Sequence, residues 1–322
     1  MFDMQLPPPP PPGLSVVIPV YNSEGSLRPL IERLLPVLEQ IAPGRHEVIF
    51  VNDGSPDGSW GVVQALADEH DRVTGINLLR NYGQHNALLC GLRAAGYDTL
   101  VTMDDDLQHP PEELPHLLDK LAEGFDVVYG YPAEEQHGLW RDLASQFTKI
   151  ALRSTTGVEA ARHVSAFRAF RTRLRRAFES YSGPFVSLDV LLTWGTTRFA
   201  AVPVRHDPRT IGESNYTFRK LVRHALNMMT GFSTLPLKLA SVVGFGLTVF
   251  GIGVLLYVIV RTLTERAAPA GFPFLASIIA IFSGAQLFAL GMMGEYLARM
   301  HFRLMDRPTY TVEARTPPPD AS

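Results

Sequence analysis

The chain has a single cysteine, Cys90, among 322 residues. No internal disulfide is possible, so a disulfide-stapled scaffold is excluded and stability has to come from a core. Cys90 falls in an apolar helical pattern, where an inert core thiol is expected rather than a nucleophile. Net charge is nearly absent: 29 Lys/Arg against 32 Asp/Glu leave −3, which gives no overall basic field for nucleic acid. Two phosphate-cradling patterns are missing as well. No G-x-G-x-x-G follows the first apolar run and no G-x-x-x-x-G-K-[ST] occurs, so dinucleotide-binding and P-loop readings have no support. A secretory leader is not expected either. The first six residues, Met1 to Leu6, run into six prolines, Pro7 to Pro12, which read as a stiff polyproline spacer.

The small net charge conceals an asymmetry. Residues 1–139 hold 21 Asp/Glu and 7 Lys/Arg, a net of −14, whereas residues 140–322 hold 11 and 22, a net of +11. The first part suits a metal site and the second suits anionic groups such as lipid headgroups or phosphates. Nucleic acid is the other candidate anion, but the basic residues are interleaved with membrane-type sequence, so none is expected as a partner.

Residues 15–130 alternate strand and helix. Apolar runs at Ser15–Val20, Val48–Val51, Val73–Leu79, Leu100–Met103 and Val127–Tyr129 predict strands. Helical stripes lie between them, the clearest at Leu27, Leu30, Ile31, Leu34, Leu35 and Leu38, with another over 84–95. A late strand is predicted at Val202–Arg205. Regular alternation of this kind predicts an α/β fold with a mostly parallel sheet and helices on both faces.

Residues 139–156 read as an amphipathic helix with Trp140, Leu143, Phe147 and Ile150 on one stripe. Packing on the sheet and lying in a membrane interface are both open to it. Leu239–Val260 is then 22 residues without a charge, and Leu275–Gly294 is 20 residues with Gln286 its one strongly polar side chain. Each is long enough to cross about 30 Å of hydrocarbon. Arg219, Lys220, Arg223 and Lys238 flank one side and Arg299, Arg303 and Arg307 the other, against two arginines in the short link. The positive-inside bias therefore puts both outer flanks, and with them both termini, in the cytoplasm. A buried helical hairpin in a soluble protein is the alternative. The expected organisation is a proline-rich tail (1–13), a catalytic domain (14–214), an amphipathic juxtamembrane helix (215–234), a transmembrane helical hairpin (235–300) and a cytoplasmic tail (301–322), disordered beyond Arg315.

The chemistry collects at the strand ends. Tyr21, Asn22, Ser23 and Glu24 follow the first strand. Asn52, Asp53, Gly54, Ser55 and Asp57 follow the second, and Arg80 to His85 the third. After the fourth come Asp104, Asp105, Asp106 and Gln108, ahead of Pro110-Pro111. In a parallel sheet these ends share one edge, where ligands of open α/β sheets bind. Three adjacent carboxylates repel one another, so a cation is expected among them. Mg²⁺ takes one or two carboxylates plus substrate oxygens. His85 and His109 have no zinc-site spacing. Arg171, Arg173, Arg175 and Arg176 read as a solvated or headgroup-facing surface.

Four stretches carry a resemblance: Ser-Val-Val-Ile-Pro-Val-Tyr-Asn (15–22), Asn-Asp-Gly-Ser-Pro-Asp-Gly (52–58), Arg-Asn-Tyr-Gly-Gln-His (80–85) and Met-Asp-Asp-Asp-Leu-Gln-His-Pro-Pro-Glu (103–112). They resemble the family 2 inverting glycosyltransferases of the GT-A fold, most closely the polyprenyl-phosphate branch with its dolichyl-phosphate mannose synthases and undecaprenyl-phosphate glucosyl and aminoarabinose transferases. Arg-x-x-Gly-Glu-Ser-x-Tyr (209–216) and Gly-Glu-Tyr-Leu-x-Arg (294–299) add to it. The resemblance implies transfer of a sugar from a nucleotide-diphosphate donor, expected to be a UDP-sugar, to a polyprenyl phosphate at the cytoplasmic face of a bacterial inner membrane. Asp104 and Asp106 then match the D-x-D pair that holds Mg²⁺ or Mn²⁺, with Gln108 as a further contact. Pro19, Tyr21, Asp53, Arg80, Gln84, Asp104 and Asp105 fall in the nucleotide pocket. Arg141, Arg162, Ser165, Arg168 and Arg205 fall where the family binds the lipid phosphate, and Arg168 and Arg209 stand with the aspartates as catalytic candidates. Whether the protein forms a homo-oligomer is left open.

The chain departs from the family at Asn52 and Ser23, where Asp and Glu are frequent, and at Asn215, where Lys follows the motif serine. His163, Ser165 and Ala166 stand where several relatives carry a carboxylate base. A phosphate monoester has a second pKa of about 6, so such an acceptor is already mostly dianionic at neutral pH and needs no dedicated base. A scaffold without activity and a processive polysaccharide synthase are the rivals. The intact Asp104, Asp106 and Gln108 set speaks against the first. The absence of Q-x-x-R-W, and the presence of only two spans, speak against the second.

Overall fold

The computed structural model describes residues 8–132, 163–183, 186–207, 235–265, 271–305 and 307–316. These fall into two compact units, one within Met1–Lys220 and Arg307–Ser322, the other within Leu221–Asp306.

The first unit is built on an eight-stranded mixed sheet in the order β7-β5-β6-β4-β1-β2-β3-β8. Its strands are β1 (Leu14–Val20), β2 (His46–Asn52), β3 (Val73–Leu78), β4 (Thr99–Thr102), β5 (Val127–Pro132), β6 (Arg168–Arg171), β7 (Phe199–Val204) and β8 (Val312–Arg315). β1 runs parallel to β2 and β4, and β2 parallel to β3. The helices are α1 (Leu27–Ile41), α2 (Ser59–Glu69), α3 (Gln84–Ala94), α4 (Leu114–Ala122) and α5 (Leu188–Gly195). β1 is buried along its whole length, so it reads as a continuous apolar run and not as an alternation. Its side chains still alternate between two cores. Val16, Ile18 and Val20 join Leu27, Leu30 and Leu34 of α1, while Val17 joins Leu88, Leu89 and Leu92 of α3. Gly91 lets α3 lie close on the sheet, because a Cβ there would run into Val17 and Val51.

The expected parallel sheet is interrupted. β6 is antiparallel to both β4 and β5 and separates them. Its sequence, Arg-Ala-Phe-Arg, is too short and too basic for its apolar pattern to announce a strand. The expected tail 301–322 also needs correction. Residues 312–315 form β8, antiparallel to β3, and Thr316 exchanges hydrogen bonds with Gly75. The proline-rich start is likewise tied down at its end. The Pro11 carbonyl accepts from the Asp98 N–H and the Gly13 N–H donates to the Asp98 carboxylate.

The second unit contains two long helices, α6 (Leu235–Glu265) and α7 (Phe272–Leu304). They touch where Gly251 of α6 faces the Phe282 ring of α7. Leu237–Tyr257 is long and apolar enough to cross a membrane, with a mean hydropathy of 2.3 and none of the segment buried. Phe245 and Leu287 are 72% and 69% exposed, which is the reverse of a soluble helical core. The second of the two expected spans is a helix, but among the described residues only the first meets the length-and-hydropathy test for a crossing. The amphipathic helices expected over 139–156 and 215–234 lie outside the described residues.

Candidate active site

The register of the parallel strands aligns their ends. Val20 of β1 lies beside Asn52 of β2, which lies beside Asn77 of β3, and Val17 lies beside Thr102 of β4. The residues that follow each strand therefore share one edge, as the alternation predicts. The loops at this edge are bonded to one another. Asp53 is buried, and its two carboxylate oxygens accept from the backbone N–H groups of Tyr82 (2.7 Å) and Gly83 (2.8 Å). Burial raises its pKa, against the lowering effect of those two bonds and the Arg80 charge. Gly54 has φ +61°, and a Cβ there would run into the Arg80–Asn81 backbone. Only glycine allows the second and third loops to press together this closely. In the third loop the Arg80 guanidinium stacks 4.4 Å above the Tyr82 ring. Gln84, at the start of α3, donates through Nε2 to Asp104 Oδ1 at 2.6 Å.

The acidic loop is itself held under strain. Leu107 has φ +59°, a left-handed conformation that costs a bulky residue about 1–2 kcal/mol. Its side chain packs on the core below α4. This bend lets the Gln108 N–H reach back to Asp106 Oδ1 at 3.1 Å, while the Gln108 carbonyl accepts from the Asp207 N–H at 2.9 Å. The middle carboxylate turns inward. The Ser23 hydroxyl, which donates to the Tyr21 carbonyl at 3.1 Å, and the Tyr21 N–H lie against Asp105 from the first loop and favour its charged form. Burial pushes its pKa up to about 6, and the neighbouring Asp106 charge adds to the rise. Its Oδ2 is shut away from solvent without a hydrogen-bond partner.

Among the described residues no three His, Cys, Asp or Glu side chains are gathered as a ready metal cage. The acidic loop nonetheless fits a cation completed by its substrate. Three adjacent carboxylates, one with an orphaned buried oxygen, are an electrostatic arrangement that a divalent ion would relieve. Asp104 and Asp106 are the residues that would hold it, with Gln108 beside them.

Several expected site residues have different surroundings. Arg168 was placed by resemblance at the acceptor phosphate. It is 2% exposed, and its guanidinium pairs with Asp189 of α5 and donates to Thr102 Oγ1 at 3.0 Å. A buried arginine bound to a buried carboxylate cannot turn to a lipid phosphate without leaving that charge unpaired. Through these bonds Arg168 joins β4, β6 and α5. Pro19 is buried in β1, one residue short of the edge. Ser165 accepts the Phe167 N–H at 3.2 Å. Arg205 is exposed and shares Glu112 with Arg33, with Asp207 3.3 Å from its Nε. Arg141, Arg162 and Arg209 lie outside the described residues. The basic cluster is not all solvated: Arg175 donates to the Leu92 and Ala95 carbonyls at the end of α3, while the exposed Arg173 pairs with Asp126.

Sequence reading missed His206, Asp189 and Asn77. His109 stacks on Phe167 at 5.3 Å and meets His206 edge-on at 5.0 Å. Burial lowers the His109 pKa to about 4, and His206 adds to the fall. It is a neutral wall beneath the acidic loop. Asn77 alone had a signal in the sequence, as a polar amide inside an otherwise apolar strand.

Glycosyl transferase family 2 matches residues 15–181, a span that includes all four strand-end loops. The chain belongs to glycosyl transferase family 2. It is also 37% identical over 305 residues to an undecaprenyl-phosphate 4-deoxy-4-formamido-L-arabinose transferase of Shewanella sediminis, covering 93% of this chain and 91% of that protein. A transferase of the same description from Pectobacterium carotovorum is 36% identical over 94% of this chain and 95% of its own length. The fold is similar to glucosyl-3-phosphoglycerate synthase of Mycobacterium tuberculosis, solved with Mn²⁺, UDP-glucose and phosphoglyceric acid. That match has a TM-score of 0.51 and 19% identity over 68% of this chain and 78% of the other. In this family 2 glycosyltransferase the acidic loop lies at the edge where four strands end.

Proposed function

We propose that this family 2 enzyme transfers a sugar from a UDP-sugar to a polyprenyl phosphate of the undecaprenyl type at the cytoplasmic face of a bacterial inner membrane, with inversion at the anomeric carbon. The observation that carries the reading is the convergence of Tyr21, Asp53, Gln84 and the Asp104–Gln108 loop on one edge, in a chain so similar along its length to transferases named for undecaprenyl phosphate. The formamido-arabinose of those names is the first sugar to test.

In this reading Tyr21 and the Arg80–Tyr82 stack border the base and ribose. Asp53 acts through the third loop, fixing its backbone. Gln84 orients Asp104. A Mg²⁺ or Mn²⁺ ion on Asp104 and Asp106 supplies Lewis-acid neutralisation of the leaving diphosphate. The acceptor is a dianionic phosphate, so no side chain has to remove a proton first. Arg205 and Ser165, with Arg141, Arg162 and Arg209, are the groups proposed to orient it, since arginine binds phosphate in bidentate fashion. Positioning and electrostatics then provide most of the rate.

What supports anchoring is the bare apolar surface of α6 and α7. What supports two crossings, and not one, is the return of the chain: β8 follows α7 and pairs with β3. A chain that leaves the catalytic unit and comes back to it crosses a membrane an even number of times. The basic flanks assign that side to the cytoplasm.

The test is lipid-linked product from labelled UDP-sugars and undecaprenyl phosphate. Asp106→Ala should lower turnover about 10²–10³-fold or more, with membrane association and melting temperature kept. Full activity in Asp106→Ala would remove the metal assignment, and wild-type protein that binds neither UDP nor metal would return the scaffold reading.

A further inference from the structure

We infer that Glu313, on the C-terminal strand, is a positioning residue for the donor pocket, acting through a one-way chain of hydrogen bonds that crosses β8, β3 and β2. The inference deepens the proposed function and rests on its donor site. The chain starts at the first loop. The Asn22 N–H donates to Ser55 Oγ (3.2 Å), and the Ser55 hydroxyl donates to Asn52 Oδ1 (2.6 Å). Asn52 Nδ2 donates to Asn77 Oδ1 (2.7 Å), and Asn77 Nδ2 donates to Glu313 Oε2 (2.8 Å).

Every proton in this chain points toward Glu313, for a reason the carboxylate imposes. Ionised Glu313 can only accept, so Asn77 must turn its NH₂ outward and its oxygen toward Asn52. Asn52 must then present its own NH₂ to Asn77 and its oxygen to Ser55. The Ser55 hydroxyl is left to donate inward and to accept from Asn22. One exposed charge thereby selects the orientation of two amides and one hydroxyl, and the polarised bonds reinforce one another. The far end matters because Asn22 has φ +57°. It holds this left-handed bend between Tyr21, which borders the proposed base pocket, and Ser23, whose hydroxyl donates to the Tyr21 carbonyl and lies against Asp105. Thr311, just ahead of β8, also secures the third loop, its carbonyl accepting from the Leu79 N–H at 3.0 Å, directly ahead of Arg80. The segment after the last helix thus reaches both loops that enclose the donor.

The experiment uses full-length protein in detergent and measures the affinity for UDP in the presence of Mn²⁺ by calorimetry, beside donor KM, kcat and melting temperature. Glu313→Lys turns the acceptor into a donor and reverses the amide orientations. It should weaken UDP binding and raise donor KM about 3- to 10-fold, the scale of one lost hydrogen bond, with kcat at saturating donor close to wild type. Glu313→Gln still accepts from Asn77 and should restore near wild-type affinity. On a Ser55→Ala background, where the chain is already cut, Glu313→Lys should add little further loss. Should the lysine variant melt early, Glu313→Ala against Glu313→Gln decides, with only the alanine variant weakened. UDP affinity unchanged in both the lysine and alanine variants, or a glutamine variant as weak as the lysine one, overturns the inference. Wild-type protein that binds no UDP overturns the donor reading itself.

Discussion

Two carboxylates on opposite edges of one sheet have been shifted in opposite directions. Asp126 precedes β5 at the edge away from the four loops. Burial works against its ionisation, but hydrogen bonds from Arg198, Thr196 and Arg173 hold its pKa well below the usual carboxylate range. Asp105, at the loop edge, is also removed from water, but its charged neighbour is another aspartate, and its pKa rises to about 6. At one edge the acid is paired, and the bond serves the fold. At the other, like charges are crowded and one oxygen is left unpartnered. Crowding of this kind has no structural benefit, which is what an edge built to hold a ligand is expected to show.

The comparison can be sharpened first at its strongest paired case. Arg168→Ala leaves Asp189 buried without its partner, and should destabilise the protein by about 3–5 kcal/mol in denaturant unfolding. Among molecules still folded, acceptor KM should stay close to wild type. A raised acceptor KM without loss of stability would return Arg168 to the phosphate.

A smaller effect of opposite sign is expected at Asp105. Its folded pKa is raised, so its contribution is fully present below about pH 4, where it is protonated in both states, and is lost as pH rises through about 6. Asp105→Asn keeps an acceptor for the Tyr21 N–H without the charge. It should raise metal-free stability at pH 7 by about 1–3 kcal/mol and flatten the decline between pH 4 and 6. A loss of stability would break the contrast between the edges.

The smallest change is expected at Asp126→Asn. A depressed pKa contributes stability above about pH 4 that disappears as pH falls further. Because both arginines are more than half exposed, the loss at pH 7 should be about 1 kcal/mol, and the variant should lose part of the acid-induced destabilisation expected of wild type.

Much of this was legible in the sequence, for reasons that differ from element to element. β1, β2 and β3 are buried on both faces, so continuous apolar runs announced them to within two residues at either end. The loops after them were legible because polar and acidic residues collect at four successive strand ends, the Asp104–Asp106 run above all. β6 was hidden because its arginines are satisfied by tertiary partners, Asp189 among them, that lie far away in the chain. β8 was hidden because four residues, Val-Glu-Ala-Arg, form a strand only when a β3 edge is available to bond them. Asn77 was visible as a polar residue in an apolar run, but nothing local linked it to Asn52 or Glu313.

Local patterning by itself determined the alternating strands and helices, the acidic loop ahead of two prolines, and two long helices, the first of them apolar enough to cross a membrane, because periodicity, turn chemistry and burial act over a few residues. Tertiary structure alone decided which charges were paired. It gave Arg168 to Asp189, left Asp105 among its own kind, and brought Glu313 beside Asn77, 236 positions earlier. Electrostatics and hydrogen bonding depend on distances in space, and those distances are set only once the sheet has closed its order.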